Sequence, residues 1–360
     1  MQRLAQEEET RDERPARPPR WLSRRGRRCY ISCSGAAPGA GRFFLCRTRA
    51  TFSATLSPVS ERNILQQAVF LAGPTSVGKS EVALALAQKH RGEIVCADAF
   101  QLYREFPVLS AQPSVAERVA VPHHLFGTIP CTDATNAARF ADLALAAIEN
   151  IIARGRTPLI VGGSGLYLQA LTTGLPPLPA IDPVIRDEVR SLTLDTMLAR
   201  LRELDPASLT AIDTRNPRRV ARRLELSLQT GQPASAILTV PPAPRGLRGV
   251  VLTRDRDELN ARIATAVEAR LAGGGIEEVR AARDLASHTA RQILGWREIT
   301  ALLENMIDGA TCAELVTIAT RQYAKRQLTW FRAKSTFPVE NLSPVTPDFL
   351  DRIARQLGLP

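Results

Sequence analysis

The octapeptide Gly73-Pro74-Thr75-Ser76-Val77-Gly78-Lys79-Ser80 constrains this chain more than any other stretch. Its spacing is G-x-x-x-x-G-K-S. The apolar run Ala68-Val69-Phe70-Leu71-Ala72 precedes it, and a helical pattern from Glu81 to Gln88 follows. Such a loop works between a buried strand and a helix, so it commits the surrounding chain to an α/β fold. The glycines let the backbone curl until several N–H groups converge on one anion, and the positive end of the following helix adds to the pull. Lys79 supplies a mobile charge for terminal phosphate groups, and the Ser80 hydroxyl can ligate Mg²⁺. The motif predicts a pyrophosphate or polyphosphate ligand and leaves the chemistry open.

Beyond the loop, strand patterns are expected at 68–72, 93–97, 157–162 and 248–253, with a weaker one at 336–340. Helical patterns cover 79–90, 136–154, 165–173, 257–272, 275–286 and 312–333. This alternation predicts a P-loop NTPase-like parallel sheet flanked by helices. Between Pro176 and Pro244 the strand patterns stop, and proline clusters (Pro176, Pro177, Pro179; Pro241, Pro242, Pro244) bracket helical segments. That stretch is expected to be an inserted helical subdomain. The predicted organisation is a basic tail at 1–60, core at 61–180, helical insertion at 181–246, more core at 247–342 and a C-terminal tail at 343–360.

Charge separates the N-terminal tail from the body. The net charge is +11, but the first 60 residues hold 12 Arg against 5 acidic residues, a surplus of +7. The remaining 300 residues carry only +4, so an argument for nucleic acid must rest on local clusters. The tail is rich in Arg, Pro, Gly and Ser without amphipathic periodicity and is expected to be disordered. It loosely resembles an organelle transit peptide, but Glu7 to Glu9 and Asp12-Glu13 argue against one, so a dispensable tail is expected. No run approaches the ~18 apolar residues of a membrane span, so no membrane partner is expected. The cysteines Cys29, Cys33, Cys46, Cys96, Cys131 and Cys312 are scattered, which disfavours a zinc site or a disulfide scaffold. Reduced thiols suit a cytoplasmic protein.

Two strand ends carry the chemistry. The second predicted strand runs into Asp98, and ligands in open parallel sheets sit at the carboxyl ends of strands. Asp98 is therefore expected to face the crevice of the P-loop. The third ends in Gly162-Gly163-Ser164, where a nucleotide hydrolase carries an acidic residue for Mg²⁺. This P-loop is expected to grip a phosphate ligand without hydrolysing a nucleotide. The two glycines are expected to let another molecule approach the backbone, with the Ser164 hydroxyl as donor or acceptor.

Two basic clusters complete the pattern. Arg218, Arg219, Arg222 and Arg223 follow Asn216-Pro217, which suits a helix start. Arg321, Lys325, Arg326, Arg332 and Lys334 interleave with Tyr323, Trp330 and Phe331. Cations mixed with aromatics suit a phosphate backbone with splayed bases.

Taken together, these motifs resemble one family, the tRNA dimethylallyltransferases. The resemblance covers roughly residues 66–342. It rests on GPTSVGKS (73–80), on Asp98-Ala99-Phe100-Gln101-Leu102-Tyr103 and on Pro122-His123-His124-Leu125. It rests also on VGGSGLYLQAL (161–171), NPRRVARRLE (216–225), Gln292-Ile293-Leu294-Gly295-Trp296-Arg297 and RQYAKRQLTWFR (321–332). The resemblance implies transfer of a dimethylallyl group from dimethylallyl diphosphate to N6 of the adenosine 3′ of the anticodon, with Mg²⁺ as cofactor. The P-loop and Arg262 would hold the diphosphate, with Mg²⁺ on Ser80. Asp98 would act as base, with Lys79 and Ser164 also catalytic. The flipped adenosine and anticodon arm would be gripped by Asp98, Ala99, Phe100, Gln101, Ser164, Arg186, Arg218, Arg219, Val220, Ala221, Arg222 and residues 292–297. A monomer acting on the tRNA anticodon stem-loop is expected.

The chain departs from the family pattern in places. Ala99 stands where Ser is usual after the aspartate, and Gln112 stands in place of a lysine. Ala266 stands where a second arginine often follows four residues beyond Arg262, and Ser164 replaces a more usual Thr. Alternatives at this stage are an adenylate isopentenyltransferase acting on free AMP or ATP, a P-loop kinase of a small metabolite, and a tRNA-binding paralogue without activity. The arginine-rich insertion and the RQYAKRQLTWFR segment favour tRNA.

Overall fold

The structure, a computed structural model, describes residues 58–238, 246–344 and 346–360. The expectations for residues 1–57, and for the prolines at 241, 242 and 244, lie outside the described residues. Residues 58–60, placed in the tail by sequence, open helix α1 (Pro58–Gln67).

Six parallel strands form one sheet in the order β3-β2-β4-β1-β5-β6. They are β1 (Val69–Ala72), β2 (Gly92–Cys96), β3 (His123–His124), β4 (Thr157–Gly162), β5 (Arg248–Thr253) and β6 (Val339–Asn341). β1 is buried along its whole length, which its run of apolar residues dictates for a central strand covered on both faces. β3 was not foreseen because two residues carry no periodicity. β6 starts three residues later than the predicted 336–340.

Helix α2 (Lys79–Lys89) leaves the P-loop and returns the chain to β2. α3 (Val115–Ala120) starts on a capping box between Ser114 and Glu117. Asn136 caps α4 (Ala137–Ala153), which buries Phe140, Ala144, Ile148 and Ile151 on one face. α5 (Gly165–Thr172) follows β4.

The expected insertion is helical throughout its described part: α6 (Pro183–Ser191), α7 (Leu194–Leu204), α8 (Pro206–Ala211), α9 (Pro217–Thr230) and α10 (Ala234–Ile237). It has its own apolar core of Val189, Met197, Leu201, Val220 and Leu224. The chain re-enters the sheet at β5. It continues through α11 (Arg256–Arg270), a π-helical turn at Leu271–Gly275, α12 (Ile276–Ala282) and α13 (Trp296–Leu303). The long α14 (Gly309–Lys334) then crosses back to the sheet.

The segment set apart as a C-terminal tail is instead part of the body. α15 (Phe349–Gln356) buries Phe349 and Ile353 in the main core, and Asp351 pairs with Lys89 of α2 at 2.5 Å.

Strand order decides where the site lies. β4 separates β1 from β2, so the end of β4 stands between the P-loop and Asp98. A side chain at Gly162 would put a Cβ 2.1 Å from the Ala97 carbonyl oxygen. Glycine there lets the backbone leaving β2 cross over the end of β4. The sequence reading expected a second molecule to use this space; the chain itself uses it. Gly163 is likewise filled from within, because its Cβ would lie 2.4 Å from the Gln327 side chain.

Candidate active site and nucleic-acid groove

The P-loop is held open by bonds on its outer side. Its carbonyls are taken by three cations: Lys79 Nζ donates to Pro74 O at 2.7 Å, Arg262 Nε to Ser76 O at 3.0 Å and Arg254 Nε to Val77 O at 3.0 Å. Gln327 of α14 accepts from the Thr75 N–H at 2.9 Å and donates to Gly163 O at 2.9 Å, tying the loop to the end of β4. Arg262 also pairs with Glu81 at 2.7 Å, and Arg254 pairs with Glu258.

The inner side is left for a ligand. Gly78, the residue before α2, makes no side-chain cap, so the first N–H groups of that helix are not satisfied by a capping group. Ser76 sits at φ 60°, a left-handed conformation uncommon for serine, and its hydroxyl is buried without a partner. An orphaned hydroxyl beside an uncapped helix start fits an anion. Burial pulls the Lys79 ammonium down from its ordinary 10.5 to about 8; Asp98 works against the shift and Arg270 with it.

A cavity of about 180 Å³ opens over the loop, lined by Thr75, Ser76, Gly78, Lys79 and Ser80. Its lining also includes the apolar residues Ile94, Ala111, Pro113, Phe126 and Val161, beside the polar Gln101, Ser110, Glu117 and His123. One cavity thus offers cations and loop N–H groups for a phosphate together with apolar side chains that a small hydrocarbon can touch. Of the other predicted phosphate-binding residues, Arg262 reaches the cavity, while Gly73, Pro74 and Val77 shape the loop from behind without lining it.

Asp98 borders this cavity and a second, narrower cleft of about 30 Å³ shared with Phe100, Leu109, Arg270, Leu294 and Tyr323. Its Oδ1 accepts from the Phe100 N–H at 3.0 Å, which fixes the carboxylate. Ser164 turns out to support this arrangement. Its hydroxyl accepts from the Ala99 N–H at 2.9 Å and so anchors the residue next to Asp98. Gln101 donates to Ser110 O at 3.1 Å and Ala111 O at 2.7 Å, fastening the 109–113 loop over the cavity.

The narrow cleft leads outward into an open groove of about 420 Å³. Arg218, Arg291, Arg297 and Arg326 line it, with Phe100 and Tyr323 at its inner end. Arg218 donates to Gln292 Oε1 at 2.9 Å, which joins the insertion to the 292–297 turn. The rings of Phe100 and Tyr323 lie 6.0 Å apart, and Arg326 stands over Tyr323 at 5.7 Å. Phosphate cradle, carboxylate and arginine groove therefore form one continuous path with Asp98 in the middle.

Several predicted nucleic-acid residues do not face this groove. Val220 is fully buried in the insertion core, and Ala221 packs against that core. Trp296 is buried against Phe106, ring centroids 5.8 Å apart. A helix built on apolar positions four residues apart must bury one face, which removes these members from the surface. Arg222 pairs with Glu225 at 3.4 Å, Arg219 is exposed beyond the groove, and Arg186 lies close enough to His288 to help lower its pKa, though burial and Arg190 contribute more. The sequence reading passed over Gln327, Arg254, Arg270 and the placement of Tyr323. Only the position of Tyr323 and Gln327 inside the RQYAKRQLTWFR segment hinted at them.

Among the described residues, no group of three His, Cys, Asp or Glu side chains could hold a metal. The donors at the cradle are the Ser80 hydroxyl and, across the cavity, Asp98. That set fits Mg²⁺ held by one protein hydroxyl, phosphate oxygens and water.

This geometry has counterparts. The family model described as IPP transferase matches residues 101–334, and one described as isopentenyl transferase matches 66–126. The chain is 41% identical over 307 residues to a tRNA dimethylallyltransferase of Ralstonia nicotianae, covering 80% of this chain and 94% of the relative. It is 40% identical over 296 residues to one of Akkermansia muciniphila, covering 81% and 99%. The crystal structure of a tRNA isopentenylpyrophosphate transferase from Bacillus halodurans superposes with a TM-score of 0.60 at 31% identity, over 81% of this chain and 97% of that one. A eukaryotic dimethylallyltransferase captured acting on tRNA superposes at 0.68 with 26% identity, over 80% and 77%. The family-model match over residues 101–334 and the 40–41% identity over most of the body place this chain in the tRNA dimethylallyltransferase family.

Proposed function

We propose that the protein transfers a dimethylallyl group from dimethylallyl diphosphate to N6 of the adenosine next to the 3′ side of the anticodon in tRNA. The observation that carries this reading is the continuous path: a cationic cradle whose cavity also presents apolar side chains on one side of Asp98, and an arginine-lined groove on the other. Family membership supports the same reaction.

The chemistry follows from the placement. The diphosphate sits on the uncapped start of α2 with Lys79, and the five-carbon chain lies against Ile94, Phe126 and Val161. The acceptor base leaves its stack and enters from the groove past Phe100 and Tyr323, either of whose rings offers a flat surface. The N6 lone pair forms the new C–N bond at C1 of the allyl group as the C1–O bond breaks. The electron pair of that bond leaves on the diphosphate, where Lys79 and the loop N–H groups stabilise it. Asp98 orients the amine and takes its proton, which leaves a neutral N6-dimethylallyl adenosine. Bound Mg²⁺ would neutralise charge on the leaving diphosphate, with Ser80 as its protein ligand. Ser164 acts through Ala99 by keeping Asp98 in register. Among the described residues no helix is long and apolar enough to cross a membrane.

The test is direct. The protein is incubated with labelled dimethylallyl diphosphate, Mg²⁺ and either an unmodified tRNA anticodon stem-loop or free AMP. Label in the stem-loop, lost when the adenosine beside the anticodon is changed to guanosine, is expected. Label in AMP alone would identify an adenylate prenyltransferase. No transfer to either would contradict the reading.

A further inference from the structure

Arg270 closes α11 at the wall shared by the donor cavity and the narrow cleft around Asp98. Among the described residues, no hydrogen bond or ion pair engages its guanidinium; its electrostatic neighbours are Asp98 and Lys79. Burial disfavours its charge, and Asp98 favours it. A guanidinium carries five N–H donors in a flat fork that matches phosphate oxygens two at a time. The half-buried guanidinium lines both clefts with donors that no acceptor among the described residues takes, so ligand oxygens can complete them.

Helix geometry says what that ligand is. Arg262, Ala266 and Arg270 stand at i, i+4 and i+8, so they share one face of α11. Arg262 borders the same cavity and gives one donor to Ser76 O and one to Glu81. Position 266, between Arg262 and Arg270 on that face, offers only a methyl group. Arg270 lies about 6 Å further along the helix axis. It is followed at once by a kink within Leu271–Gly275, where Gly274 takes a φ of 114°.

We propose that Arg270 is a donor-binding cation: its guanidinium holds the diphosphate oxygens of the allyl donor and takes up the charge that develops there as the C1–O bond breaks. The inference rests on the proposed reaction only for the identity of the donor. Binding of a diphosphate to Arg270 stands or falls separately.

The experiment uses the full chain with Arg270→Met, Arg270→Lys and the relocated double variant Ala266→Arg/Arg270→Met. Inorganic pyrophosphate is the binding probe, read by calorimetry; donor KM and kcat are read from transfer to tRNA; thermal melting checks the fold. Loss of a bidentate charged contact predicts pyrophosphate binding about 30-fold weaker in Arg270→Met, with donor kcat/KM down about 100-fold. Arg270→Lys should recover part of this, because it keeps the charge but not the fork. The relocated arginine should recover more. Unchanged pyrophosphate affinity in a folded Arg270→Met protein overturns the proposal, even where transfer falls, since Arg270 would then serve only to balance Asp98. Should Arg270→Met fail to fold, Arg270→Lys decides: weaker pyrophosphate binding at unchanged melting supports the proposal, and wild-type binding overturns it. If the wild type binds pyrophosphate but prenylates no RNA, the proposed reaction fails while the Arg270 comparison is still read.

Discussion

The cradle and the groove both bind phosphate, and they are built in opposite ways. In the cradle the backbone supplies the contacts, and side chains from α11, α14 and the loop itself fix that backbone from outside. Its cations are buried or half-buried, and Lys79 titrates well below an ordinary lysine. In the groove Arg218, Arg291, Arg297 and Arg326 are all exposed, and none makes an ion pair among the described residues. A small, charge-dense ligand is met by a preorganised backbone, whereas a long polyanion is met by solvent-exposed cations whose contacts salt competes with. Asp98, where the two meet, belongs to neither.

The largest expected effect breaks the junction and spares both regions. Asp98→Asn should cut kcat by about 10³-fold while leaving pyrophosphate and tRNA binding near wild type. Rapid-quench transfer assays with equilibrium binding check this; near-normal turnover would remove Asp98 as the base.

Next comes pH. Because burial lowers the Lys79 pKa to about 8, the ammonium is present below that pH and is lost above it. Metal-free pyrophosphate affinity should hold below about pH 8 and then fall by up to about tenfold for each further pH unit, with proton uptake on binding. tRNA binding to the groove should not change over that range, since arginines do not titrate there. Calorimetry in buffers of different ionisation enthalpy separates the two behaviours.

Gln327→Ala attacks the scaffolding of the cradle. It leaves the Thr75 N–H and Gly163 O without their partner and should cost about 1–3 kcal/mol of stability, read by urea unfolding. Donor KM should rise with it, and tRNA KM should stay put.

The smallest effect belongs to the groove. Arg297→Ala or Arg218→Ala should raise tRNA KM only about threefold to tenfold and lower the slope of log affinity against log salt by about 0.7. Filter-binding titrations at several salt concentrations check this. A salt-independent loss would mean that these arginines read a specific base.

The contrast also explains what could be read from sequence. The P-loop and Asp98 are local: a strand, a turn and the next residues specify them, so eight contiguous letters sufficed. Gln327 and Arg270 act across the fold, at 252 residues from Thr75 in the first instance, and no spacing announces such a contact. Val220 and Trp296 were assigned to the RNA surface because whole motif segments were carried over, although a helix must bury one side of any such segment. The helix at the C-terminus was legible and overlooked: Phe349, Ile353 and Leu357 recur every four residues and are all buried. β3, two residues long, was not legible at all.

The most direct measurement counts products in one reaction containing the protein, unmodified tRNA, dimethylallyl diphosphate, ATP and Mg²⁺. The account predicts one pyrophosphate released for each dimethylallyl group found on tRNA, at a rate that ATP does not support by itself. Orthophosphate or ADP accumulating from ATP, with no five-carbon group on the RNA, would contradict it.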